Sequence, residues 1–148
     1  MSQVAWELTH SVETEATPAF AWSYMTNVAN WDDPPAEFEL DGPFAPGSRG
    51  ITGMPGQEPR QWRLREVSPP RSYTIEAPLD RASLSVEWRF DGLPGGRTRL
   101  TQRLALEGEN AAAYVEQVRA AFTPTLAAGM NRIAAALARA EAGASRAG

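Results

Sequence analysis

At 148 residues the chain is the size of one domain built around one core. Hydrophobic residues make up 43% and charged residues 22%, an ordinary globular balance that argues against disorder along the whole length. The formal net charge is −4, the wrong sign for gripping phosphate backbones, so nucleic acid is not an expected partner.

Single residue types exclude further chemistries. All 14 basic residues are arginine. Without lysine there is no Schiff base and no phosphate-loop lysine. Without cysteine there is no disulfide, thiolate zinc site, iron–sulfur ligation or cysteine nucleophile. Met1 to Glu15 has neither a basic start nor a continuous apolar run, so it does not read as a signal peptide. The most apolar stretch, Ile133 to Ala138, is too short to span a bilayer. The expectation is a soluble, cytoplasmic protein that does not insert into membranes, as a monomer or homodimer.

In chain order, Val4 to Thr14 alternates with a period of two. Val4, Trp6, Leu8, His10 and Val12 fall on one face, and Glu7, Thr9, Ser11 and Glu13 on the other. Thr17-Pro18 is a cap followed by proline at the first helical position, which predicts a short helix over Pro18 to Thr26. A second short turn is expected over Asn27 to Trp31, ended by Asp33-Pro34-Pro35.

From Glu37 to Glu107 the chain reads as strands joined by turns. Phe38 and Leu40 alternate with acids, and a weak strand follows around Arg49 to Met54. Trp62 and Leu64 alternate with Arg63 and Arg65. Tyr73 and Ile75 alternate with Thr74 and Glu76. Leu84, Val86, Trp88 and Phe90 form another apolar face, and Leu100, Gln102, Leu104 and Leu106 the last. Gly92 to Gly96 is a hairpin signal. One-sided alternation through successive hairpins predicts an antiparallel sheet with one wet face and one dry face that needs a cover. Asn110 to Glu141 supplies it, with Tyr114, Val118, Phe122, Leu126, Met130, Ile133 and Leu137 at helical spacing. Asn110 is the expected cap, Pro124 a kink, Gly143 the end, and Ala144 to Gly148 a frayed tail. No second domain is visible.

The order of strand, two short helices, six strands and long helix resembles the START-like (SRPBCC) superfamily. The local wording resembles its bacterial polyketide cyclase/dehydrase-like branch. The pieces that carry the likeness are His10 to Trp22, Trp31 to Pro35, Asp41 to Gly47, Trp62 to Pro70 and Gly95 to Thr101. The resemblance implies an α+β helix-grip fold, with a curved seven-stranded antiparallel sheet around a long C-terminal helix. It also implies a container for lipids, steroids or polyketides. Some members of that superfamily close aromatic rings and others only bind a protein partner.

No nucleotide-binding, zinc-protease or serine-hydrolase motif is present. One histidine and no cysteine do not make a zinc site. Asp32-Asp33 could touch a hard cation, but two carboxylates beside prolines more often make a turn. No metal or cofactor is therefore expected. The arginines Arg63, Arg65, Arg89, Arg99 and Arg103 share the wet face with Glu7, Glu13, Glu76, Glu87 and Glu107, which suits cross-strand ion pairs.

Large rings on a concave dry face leave room to enclose a small apolar molecule. The candidate lining residues are Trp31, Phe38, Trp62, Tyr73, Trp88, Gln102, Phe122 and Met130. His10, Glu66 and Gln102 are the polar side chains in register with that face, and a buried polar group needs a partner, a water or a ligand. His10 and Glu66 are the candidate acid/base groups. Three functions stay open: a binder of a lipid-like or polyketide-like molecule, a metal-free cyclase or dehydratase using His10, and a module acting on another protein through its surface.

Overall fold

The computed structural model describes residues 4–31, 33 and 35–147, with side chains to Ala144. Asp32, half of the carboxylate pair weighed as a cation site, lies outside the described residues, as does Pro34 of the segment expected to end the second turn.

Seven strands form one antiparallel sheet: β1 (Val4–Thr14), β2 (Glu37–Asp41), β3 (Arg49–Gly53), β4 (Arg60–Ser68), β5 (Ser72–Leu79), β6 (Ala82–Gly92) and β7 (Thr98–Glu107). Their spatial order is β1-β7-β6-β5-β4-β3-β2, so β1 and β2 are the edges and β5 and β6 lie well inside. Helix α1 (Pro18–Met25) and a 3-10 turn (Val28–Asn30) connect β1 to β2. After β7 come a 3-10 turn (Ala111–Tyr114), α2 (Val115–Phe122) and α3 (Leu126–Ala147). This is the α+β helix-grip architecture.

The C-terminal cover is not one helix. Proline lacks an N–H, and its ring collides with the carbonyl four residues back. Pro124 accordingly splits the stripe into α2 and α3, leaving Phe122 at the break. Asn110 does not cap the start. Its amide instead donates to the Asp80 carbonyl at 3.0 Å, tying the connection after β7 to the β5–β6 hairpin. Gly143 does not end α3 either, because helical backbone continues through it to Ala147, over most of the expected frayed tail.

Polar side chains fix how the helices sit. The Thr17 hydroxyl accepts from the Phe20 N–H at 3.2 Å and so caps α1, as the Thr17-Pro18 pair predicts. That cap is itself gripped from α3. The Glu141 carboxylate accepts from the Thr17 N–H at 3.0 Å and from its hydroxyl at 2.8 Å. Thr14 at the end of β1 donates to the Ala134 carbonyl of α3 at 2.7 Å. Met130, Ala134 and Leu137 of α3 are buried in the main core with Leu64, Leu100 and Leu104.

Two registers place the site. Across β1, β7, β6 and β5, His10 opposes Gln102, Gln102 opposes Trp88, and Trp88 opposes Tyr73. Thus His10 and Gln102 face inward, as parity predicts. Glu66 does not. Leu64 opposes Ile75 but Glu66 opposes Thr74, so Arg65 is an extra residue in a β-bulge. A bulge reverses side-chain parity beyond it. Glu66 is consequently exposed in the outer row with Thr74 and Glu87, and Val67 takes the inward place.

The outer face carries part of the expected set of ion pairs. Arg63 and Arg65 both reach Glu76, at 2.7 and 3.4 Å, Arg99 reaches Glu13 at 3.8 Å, and Arg103 pairs with Glu7. Arg97, outside the expected set, reaches Glu13 at 3.0 Å, while Arg89, Glu87 and Glu107 form no ion pair among the described residues.

Candidate functional site

The inward face divides into a ring-stacked end and an open middle, where apolar side chains on interior strands are incompletely buried. At the stacked end, under β2, β3 and β4, Trp31 stacks on Trp62 with ring centroids 5.4 Å apart and planes at 29°. Phe38 meets Trp31 edge-on, also at 5.4 Å. Both indole N–H groups are satisfied. Trp31 donates to the Met25 carbonyl at 2.8 Å, and Trp62 to the Thr52 hydroxyl at 3.0 Å. Gly50 makes the stack possible. A Cβ there would lie 2.2 Å from the Trp62 ring.

The open middle differs. Ile75, Leu84 and Val86 point inward from β5 and β6, strands flanked on both sides, yet each is only partly buried. In a sealed two-layer core such positions would be the driest. His10 and Gln102 beside them are also only half-buried. Their outer-face neighbours Ser11 and Thr101 bond each other at 2.8 Å, whereas among the described residues neither the His10 nor the Gln102 side chain takes a hydrogen-bond partner. Trp88 of the same row is buried. From the cover, Met130 is buried and Phe122 is partly exposed.

Tyr73 ends the row. Its ring is caged by Phe44 at 5.0 Å and Trp22 and Phe90 at 6.1 Å each. The Tyr73 hydroxyl is fully buried and has no hydrogen-bond partner among the described residues. Burial pushes the phenol's pKa upward, so it stays protonated and can donate.

 

The candidate catalytic pair is not brought together. Glu66 is on the outer face, and no carboxylate occupies the inward rows beside His10. Tyr73 lies three strands from His10, about 14 Å at ordinary strand spacing. Among the described residues no three metal-ligating side chains converge, and no helix is long and apolar enough to cross a membrane.

Two depressions open at the β2 end. One of ≈ 620 Å³ lies between Asn27–Ala29 and β2, lined by Val28, Phe38, Leu40 and Phe44. Another of ≈ 430 Å³ lies against Glu39, Arg49 and Ile51. Neither is lined by α3. Phe44 and Trp22 escape a periodicity argument. Phe44 lies in the β2–β3 loop, and α1 is apolar on all sides.

Comparisons with known proteins agree on the fold. The family model described as polyketide cyclase/dehydrase and lipid transport matches residues 5–139. A norcoclaurine synthase point mutant from Thalictrum flavum, in complex with a transition-state analogue, is 12% identical, with a TM-score of 0.72 over 95% of this chain and 98% of that one. The Zhui aromatase/cyclase from a Streptomyces species is 17% identical, with a TM-score of 0.66 over 94% and 95%. A Mycobacterium smegmatis protein is 19% identical, with a TM-score of 0.62 over 88% and 90%. No curated protein sequence matches.

Proposed function

The chain belongs to the polyketide cyclase/dehydrase and lipid transport family, and on that premise we propose that it binds one small hydrophobic or amphipathic molecule, lipid-like or polyketide-like, between the sheet and its C-terminal helices. The observation that carries this reading is the open middle. Inward apolar residues on interior strands are incompletely buried, and among the described residues the half-buried side chains of His10 and Gln102 have no hydrogen-bond partner. Inward polar groups that the protein leaves free are ones a ligand or water would complete.

The same geometry favours a container over an acid–base catalyst. A general base needs an orienting partner within hydrogen-bond reach. Among the described residues the His10 side chain has none, and Glu66 faces away.

The test is a titration with N-phenyl-1-naphthylamine, alongside native mass spectrometry of protein purified from its own host. Saturable probe emission, quenched tryptophan fluorescence and a co-purified small molecule are expected. A probe that neither brightens nor quenches would sink the container reading.

A further inference from the structure

We propose that the Tyr73 hydroxyl donates the hydrogen bond that fixes a neutral carbonyl oxygen of the ligand, which reaches it from the groove beside β2 by displacing Phe44. The inference rests on the container reading above. Its starting point is the phenol hydroxyl, fully buried without a partner among the described residues, inside a cage of Trp22, Phe44 and Phe90. A buried donor left unmade is costly, and a ligand oxygen would remove that cost.

The cage also selects the ligand's charge. Phe44 and Phe90 are hydrocarbon rings and Trp22 an indole, and among the described residues burial alone, with no neighbouring charge, raises the Tyr73 phenol's pKa. An anion would lose its hydration there without a countercharge. A ketone or ester oxygen would not.

The route follows from where the rings are anchored. Trp22 belongs to α1 and Phe90 to β6, whereas Phe44 sits in the loop between β2 and β3. Loop residues move at lower cost than residues in helices or sheets. Phe44 also lines the ≈ 620 Å³ groove, so one ring separates that groove from Tyr73.

The experiment compares 2-acetylnaphthalene with 2-ethylnaphthalene, which lacks the oxygen, by displacement of N-phenyl-1-naphthylamine from wild type and Tyr73→Phe. The variant is expected to bind the ketone about three- to tenfold more weakly, the scale of one hydrogen bond, and the hydrocarbon as before. Equal weakening of both compounds, or of neither, overturns the inference and leaves the container standing. Failure of the wild type to bind the naphthylamine overturns the container itself, and this inference with it.

Folding is controlled in the same variant. Ligand-free Tyr73→Phe loses no protein partner and is expected to melt no lower than wild type. A fall of several degrees would assign the hydroxyl a structural partner and overturn the proposal. Phe44→Ala is expected to speed probe association in stopped flow, and an unchanged rate overturns the route.

Discussion

The two ends of the inward face use their polar atoms in opposite ways. Under β2 to β4, the tryptophans stack on one another, their N–H groups have partners, and Gly50 gives up its side chain to admit a ring. Under β1, β7 and β6, the His10 and Gln102 side chains stand half-buried, without partners among the described residues, beside incompletely buried Val86 and Leu84. A surface rich in large rings is therefore not by itself a binding surface. Rings that find each other make core. Polar groups that face inward and find nothing mark where something else belongs.

Removing Trp62 should break the stacked end and spare the open one. The ring is 6% exposed, stacked and hydrogen-bonded. Trp62→Ala is expected to cost about 3–5 kcal/mol in urea denaturation, while the folded fraction keeps its affinity for an apolar probe. A loss below about 1 kcal/mol would mean that the stack is not part of the core.

Gly50→Ala attacks the same stack from the other side. The new methyl would fall 2.2 Å from the ring of Trp62, which is wedged against Trp31 and cannot retreat freely. Overpacking of this kind costs about 1–3 kcal/mol. Trp62 emission should change in step with stability, and an unshifted spectrum at full stability would show that the ring has room to move.

Much of this was legible from residue order. The alternation in β7 places Leu100, Gln102, Leu104 and Leu106 inward, and Thr17-Pro18 marks the start of α1. Local pattern failed where a distant segment intervened. The bulge at Arg65 occurs where the β2–β3 loop pairs with Leu64, through the Gly47 N–H at 2.7 Å and the Ser48 carbonyl at 2.9 Å. Nothing near Glu66 in sequence announces it. Asn110 was claimed by a carbonyl 30 residues away. Phe44 has no periodic neighbours, so its contact with Tyr73 could not be read from spacing.

The smallest expected effect falls on His10, and it is the sharpest test of the open end. Trp62 has partners to lose, whereas His10 has none among the described residues. His10→Gln keeps a polar side chain of similar size on the inward row and removes the imidazole's proton exchange. Its stability should stay within about 0.5 kcal/mol of wild type, as for a site without a committed partner. Probe affinity should change modestly, because glutamine can still donate and accept. A stability loss above about 1.5 kcal/mol would show that His10 is bonded within a closed core, and the contrast between the two ends would collapse. Should a reaction be found for this protein, a loss of turnover on the order of 10²–10⁴-fold in His10→Gln would make His10 its acid/base group and displace the container reading.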